Sequence, residues 1–241
     1  PYNATFYNSS SGAVTTSWSF GNGQTSSSSA PTISQIYTNA TSTSIIYTIN
    51  QTVTNSQGCS NIVKKTLTVF PKVTAKYKIN GGCEPHTVLN ISNTTTNATK
   101  YEWKLGATVS NLKSPSYVFR NYNPLLDTVY TISLRAESNF GCIDTKDTTI
   151  TIYAKPKADF TMGDPSGCSP YSFQLNHTSI GQSAVTWDFG DGSPRSNLNT
   201  PLITVSYTNN SGTIKNYDIM LIAENVQGCK DTLVNTAAVY P

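Results

Sequence analysis

Charge is scarce in this sequence: 16 Lys and Arg with 13 Asp and Glu make up 12% of 241 residues, against roughly 25% in an average soluble domain. The formal net charge is +3 and no basic cluster occurs, so there is no electrostatic footprint for a phosphate backbone, and no nucleic-acid partner is expected. Long apolar runs are also missing. The longest, Ile219-Met220-Leu221-Ile222-Ala223, falls far short of the roughly 20 residues that span a bilayer. No signal-peptide pattern stands behind Pro1, and the chain reads as a mature or excised piece of something larger. Histidine is nearly absent (His86 and His177), and neither a Cys-x-x-Cys pair nor a Gly-rich phosphate loop occurs. No metal centre, cofactor or catalytic triad is therefore expected. Paired carboxylates could serve glycoside hydrolysis, but Glu102, Glu137 and Glu224 have no conspicuous acidic partner. The expectation is that this is not an enzyme.

What takes the place of charge is uncharged polarity: 29 Ser, 35 Thr and 23 Asn, together 87 of 241 residues. A hydrophobic content of 37%, with 14 Tyr and 8 Phe, is nevertheless too high for a disordered Ser/Thr linker.

The residues are organised as repeats. Trp18, Trp103 and Trp187 are 85 and 84 positions apart. Gly58-Cys59, Gly141-Cys142 and Gly228-Cys229 each place their cysteine 12 residues after a tyrosine, Tyr47, Tyr130 and Tyr217, and shortly after Asn55, Asn139 and Asn225. A second landmark, Gly-Cys-x-Pro, stands at Gly82 to Pro85 and at Gly167 to Pro170. Pro1 lies 17 residues before its Trp, as Pro170 does. The first copy thus reads as lacking its first strand and a cysteine two positions before Pro1, which accounts for the odd cysteine count. The expected units are 1–71, 72–156 and 157–241, joined by short Lys/Pro segments that allow little independent tumbling.

Within each unit the local signal is β. Tyr217, Ile219, Leu221 and Ala223 alternate with other residues, as do Tyr130, Ile132, Leu134 and Ala136. After each Gly-Cys a short strand is expected: Leu67 to Val69, Thr149 to Ile152, and Leu233 to Val239. No apolar period of 3.6 appears. Three consecutive β-sandwiches in an all-β chain is the economical reading.

Trp187-Asp188-Phe189-Gly190-Asp191-Gly192-Ser193-Pro194 resembles the signature of the polycystic kidney disease (PKD) domain, an immunoglobulin-like sandwich. Tyr217 to Asn225 resembles that family's penultimate strand. The other copies reduce the motif to Trp18-Ser19-Phe20-Gly21-Asn22-Gly23 and Trp103-Lys104-Leu105-Gly106. Asp188 and Asp191 read as turn residues, with a Ca²⁺ site as the alternative; hard cations want about 6 to 8 oxygen ligands, and the first two copies lack these carboxylates.

Tandem PKD-like repeats of this composition resemble the giant surface proteins of Bacteroidota, including gliding-motility adhesins. The resemblance implies type IX secretion and an extracellular, cell-surface stalk. Its partners would be neighbouring repeats of one long chain and, through other regions, surface polysaccharide or the substratum. Asp127-Thr128-Val129, Asp147-Thr148-Thr149 and Asp231-Thr232-Leu233 resemble that phylum's O-glycosylation acceptor, making Thr128, Thr148 and Thr232 candidates. Asn-x-Ser/Thr sequons also occur, as at Asn3, Asn93 and Asn176, and follow from composition. The alternative function is a carbohydrate-binding or spacer module of a secreted hydrolase, but the spare aromatics Tyr2, Tyr7, Tyr117, Tyr122 and Tyr171 are scattered.

Cysteines at fixed positions in a surface protein point to disulfides. Pairing within a unit would join Cys83 to Cys142 and Cys168 to Cys229, leaving Cys59 alone. If the units are immunoglobulin-like, the two landmarks lie at opposite ends of a sandwich, about 26 Å apart for strands of about eight residues, whereas a disulfide needs Cα atoms within about 7 Å. End-to-end stacking instead pairs Cys83 with Cys229 between units, and this bond is favoured.

Overall fold

The computed structural model describes residues 1–88, 90–198 and 200–241, and among these only strands, bridges and turns occur. Residues 2–69 contribute β1 (Tyr2–Tyr7), β2 (Thr15–Ser19), β3 (Thr25–Ser26), β4 (Thr32–Tyr37), β5 (Ile45–Thr54) and β6 (Ser60–Val69). Two layers result, β1-β4 and β3-β2-β5-β6, closed around Trp18, Phe20, Tyr37, Ile49 and Val69.

A second set follows: β7 (Tyr77–Lys78), β8 (Gly82–Cys83), β9 (His86–Val88), β10 (Ser92–Asn93), β11 (Lys100–Leu105), β12 (Thr108–Ser110), β13 (Tyr117–Phe119), β14 (Thr128–Glu137) and β15 (Ile143–Tyr153). One layer is β12-β11-β14-β15-β8, and the other consists of the short pairs β10-β7 and β13-β9. The third set is β16 (Phe160–Met162), β17 (Ser166–Cys168), β18 (Tyr171–His177), β19 (Ala184–Asp188), β20 (Leu202–Tyr207), β21 (Lys215–Glu224) and β22 (Lys230–Tyr240), layered as β16-β18-β20 on β17-β22-β21-β19.

The architecture is immunoglobulin-like. In each set the Trp strand pairs with the first arm of a long hairpin, Trp18 opposite Gln51, Trp103 opposite Leu134 and Trp187 opposite Leu221, and the opposing layer covers the indole. Buried residues fall into three clusters, with Val69 in the first, Val73 and Ile152 in the second, and Phe160 in the third. Tyr47, Tyr130 and Tyr217 are explained by their hydroxyls, which donate to the backbone carbonyls of Thr38, Arg120 and Thr208 at 3.4, 2.7 and 3.0 Å. Each pins the crossing chain to the hairpin, as the tyrosine corner does in related sandwiches.

One expectation needs correction. The strands after each Gly-Cys are not short: β6, β15 and β22 run 10 or 11 residues. Their first halves are largely exposed, Ile62 and Val63 included, but continuous pairing with a ten-residue partner, from Ile45↔Val69 to Thr54↔Ser60, carries them on as a solvated edge; pairing sets their length. The asparagine landmark before Gly-Cys has one role in the first and third sets and another in the second. In the turns before Cys59 and Cys229, Asn55 and Asn225 accept the cysteine N–H at 2.9 Å. In the second set the Ser138 hydroxyl takes this place at 3.2 Å, and Asn139 accepts from Thr99 instead. A short side-chain oxygen at the head of the turn is required, and Ser supplies it as well as Asn.

Candidate functional site

The chemistry of the chain concentrates where one sandwich hands over to the next. Each hand-over begins with a buried asparagine two residues after an inward aromatic: Asn39 after Tyr37, Asn121 after Phe119, Asn209 after Tyr207. The Nδ2 groups donate to the last strands at Val69, Ile152 and Val239 (2.8, 3.1 and 2.8 Å). They also donate to the loop carbonyls of Thr43, Leu126 and Thr213 (2.8, 2.9 and 2.8 Å). One amide thereby satisfies a buried strand carbonyl and a loop carbonyl together, and the direction in which the chain leaves the sandwich is set.

Beyond Ile152, residues 154–158 are gripped from both sides. Asp127 Oδ1 accepts the Ala154 N–H at 2.8 Å, and Asn225 Nδ2 donates to the Ala154 carbonyl at 2.7 Å. Lys155 Nζ lies 2.6 Å from Asp231 Oδ1, while Asp231 Oδ2 accepts the Ala158 N–H at 2.9 Å. Burial opposes charge on Asp231, but the Lys155 ammonium and the Ala158 amide outweigh it, so its carboxyl is held below the ordinary aspartate value. Gly181, at φ +77°, lies so close to Pro124 that a Cβ would stand 2.1 Å from its carbonyl oxygen. Only glycine allows this approach.

The same joint carries a disulfide. Cys83 and Cys229 are bonded, with Cα atoms 5.4 Å apart and 146 residues apart in sequence. Cys83 sits on β8 beside Tyr153, where β15 ends; Cys229 is buried in the turn between β21 and β22. Cys59, Cys142 and Cys168 are free, so neither Cys83–Cys142 nor Cys168–Cys229 forms. On the chain-entropy estimate, closing a loop of this size disfavours the unfolded state by about 5 kcal/mol.

The joint before Val73 uses other means. Phe70 stacks on Phe140 with centroids 4.3 Å apart, Lys72 N–H donates to Asn39 O at 3.1 Å, and Asn97 Nδ2 donates to Lys72 O at 2.8 Å and Thr41 O at 3.2 Å. Asp144 Oδ2 accepts the Ala75 N–H at 2.8 Å, as Asp231 does with Ala158. Sequence reasoning missed this pair and the three asparagines. Gly141-Cys142-Ile143-Asp144 and Gly228-Cys229-Lys230-Asp231 carried the signal for the aspartates.

The remaining candidates are dispersed. Asp188 Oδ1 accepts the Gly190 N–H at 3.1 Å and its Oδ2 meets Arg195 Nε at 3.3 Å. Asp191 Oδ1 accepts the Ser193 N–H at 2.9 Å, and the hydrogen bonds from Ser193 hold its carboxyl below the ordinary value. Among the described residues no group of three or more His, Cys, Asp or Glu is placed to hold a metal ion. Thr128 and Thr148 are half-buried, and Thr232 is exposed on β22; the aspartates before Thr128 and Thr232 are the ones that hold the joint. Of the scattered aromatics, Tyr117 packs on the second core and Tyr171 on the third, whereas Tyr2, Tyr7 and Tyr122 are exposed. His86 Nε2 is 2.9 Å from Asn80 O. No described helix is long and apolar enough to cross a membrane.

No protein-family model and no curated protein sequence matches the chain. Among solved structures it is similar to the PKD1 domain of the Vibrio cholerae metalloprotease PrtV, at 25% identity over 36% of this chain and 99% of that one, with a TM-score of 0.29. It is also similar to part of a 1.5-MDa bacterial ice-binding adhesin, at 13% identity over 99% and 90%, TM-score 0.33. A third likeness is to the fibronectin(III)-like modules of Clostridium thermocellum CbhA, at 15% identity over 70% and 93%, TM-score 0.33.

Proposed function

We propose that the chain is a non-catalytic stalk segment of a large secreted bacterial cell-surface adhesin of gliding-motility type. Its units, residues 1–71, 72–156 and 157–241, act as spacers held at fixed angles. The observation that carries this reading is the joint at residues 154–158: two hydrogen bonds to Ala154, the Lys155–Asp231 pair and the Asp231–Ala158 bond act on five consecutive residues, and the Cys83–Cys229 disulfide ties the same two sandwiches beside them. A flexible string of beads needs none of these. Orientation between sandwiches is what they constrain, and a filament under tension uses orientation and length. The exposed Thr and Ser of the strands, in place of charge, suit a surface carrying O-linked sugar at Thr232 and, with local opening, at Thr128 and Thr148.

Two measurements test this. Small-angle scattering of the oxidised chain should give one extended particle whose maximum dimension matches three sandwiches in line. A broad distribution reaching compact shapes would overturn the stalk reading. A glycan array should show no binding in the micromolar range; clear binding would favour a carbohydrate-binding module instead.

A further inference from the structure

We propose that the open edge of β6 and the groove beside it form an acceptor for one extended Gly-Cys-x-Pro strand that runs into Pro1, and that Cys142 is the residue that fastens it. The inference rests on reading residues 1–71 as a unit of the same kind as the other two.

The second and third sandwiches show what the edge is for. There a short strand lies parallel to the end of the last hairpin strand, Gly82 opposite Ile152 and Cys83 opposite Tyr153, Gly167 opposite Val239 and Cys168 opposite Tyr240. Since Asn39, Asn121 and Asn209 bind Val69, Ile152 and Val239 in the same way, the corresponding pairs on β6 are glycine opposite Val69 and cysteine opposite Phe70. β6 is an edge strand with no such neighbour among the described residues, so the outward backbone groups of Thr68 and Phe70 are unpaired. Exposed edges of this kind take up strands.

The rest of the groove fits the same occupant. It measures about 490 Å³ and is lined by Pro1, Tyr2, Val69, Phe70, Val73 and Cys142, among others. Where the strand is present, the residue between cysteine and proline caps the amide of the buried asparagine: Ser169 Oγ accepts from Asn209 N at 2.8 Å, and Glu84 Oε2 accepts from Asn121 N. The Asn39 amide, in a residue 5% exposed, has no such cap among the described residues. Glycine is needed before the cysteine because the ring after the proline lies over it; a Cβ on Gly167 would stand 2.3 Å from the Tyr171 ring. Tyr2, one residue after Pro1, has the corresponding place and lines the groove. Finally, Cys142 occupies the turn position of Cys229, and Phe70 that of Tyr153. The free thiol therefore faces the place where the strand's cysteine would lie, as Cys229 faces Cys83.

Fastening proceeds by thiol–disulfide exchange. With glutathione disulfide as oxidant, the strand's thiolate attacks one glutathione sulfur, forming a mixed disulfide and releasing one glutathione thiolate. The Cys142 thiolate then attacks the strand's sulfur, the second glutathione leaves, and the two protons given up by the cysteines go to the two glutathione thiolates.

The test fuses Ser-Gly-Cys-Ser, the sequence of residues 166–169, directly ahead of Pro1 of the full chain. A control carries Ser-Cys-Gly-Ser, which turns the thiol to the other face of the strand. In a glutathione redox buffer the first chain should show a disulfide from the added cysteine to Cys142 on non-reducing peptide mapping. Alkylation of Cys142 should fall about tenfold or more relative to the unextended chain, and the control should change by less than about twofold. Equal protection in both chains, or pairing of the added cysteine with Cys59 or Cys168, would overturn the proposal. Dimerisation of the unextended chain through Cys142 would overturn it too, because a second copy would then be the occupant. Strand docking is read separately by combining the first extension with Cys142→Ser: amide exchange at Phe70 should slow about tenfold or more, and no slowing refutes the docking. The same map reports Cys83–Cys229. If that pair is absent, the stalk reading fails; if it is present while Cys142 stays free, only the acceptor proposal fails.

Discussion

At the scale of single residues, the aromatic landmarks reveal this chain and fill its cores, while the asparagines at 39, 121 and 209 hold the exits of the sandwiches. The three tryptophans are legible in the sequence because they are rare, large and evenly spaced, and the three tyrosines because each stands 12 residues before a cysteine. The asparagines are hidden among 23 of their kind, and only the structure separates the three whose buried amide nitrogens donate to two carbonyls each from those that form turns. Replacing Asn209 with Ala strands the buried carbonyl of Val239, 2.8 Å from the amide nitrogen, while the Thr213 carbonyl keeps the Ser211 hydroxyl at 2.9 Å. It also removes the acceptor for the Ser211 N–H. A buried group left without a partner costs about 1–3 kcal/mol, so Asn209→Ala should lower unfolding free energy by about 3 kcal/mol in a urea titration. Asn139→Ala, at a position the sequence marks with equal weight, loses one exposed bond to Thr99 and should cost less than about 1 kcal/mol.

At the scale of elements, the hairpins follow from alternation, and their length follows from pairing. The joints follow from neither, because their partners are up to 73 residues apart in the hydrogen bonds and 146 in the disulfide and share no local pattern except the aspartate two places after the cysteine. That aspartate makes the joint acid-sensitive. The Asp231 carboxyl has an ordinary value of 3.8 and is lowered in the fold. A lowered carboxyl stabilises the folded state fully above its unfolded value and loses that contribution as pH falls through its folded value. The 154–158 joint should therefore loosen below about pH 4 and not between pH 5 and 8. Asp231→Asn should remove this acid limb and lower stability at pH 7 by about 1–2 kcal/mol. Thermal unfolding of both chains across that range measures the effect; parallel curves for the two would show that Asp231 does not act through its charge.

At the scale of the whole molecule, the two joints are built differently, so their stiffness should respond differently to reduction. The joint before Val73 depends on an aromatic stack and amide hydrogen bonds, none of which involves sulfur. The joint after Ile152 combines polar contacts with one covalent bond, which spans from β8 to the turn of the following sandwich. A bond placed off the line of the connecting peptide converts a single tether into two, and two tethers block the hinge that one leaves open. Azide-bearing residues at the exposed positions Lys64, Lys113 and Ser193 would carry dyes without using cysteine. In the chain with Cys83→Ser and Cys229→Ser, the 113–193 distance distribution should broaden by about twofold or more, while 64–113 stays within its original width. Broadening of both would mean that the first joint borrows its order from the second. No broadening in either would show that the polar contacts around Ala154 suffice by themselves, leaving the disulfide to act only on the unfolded chain, as the entropy argument allows.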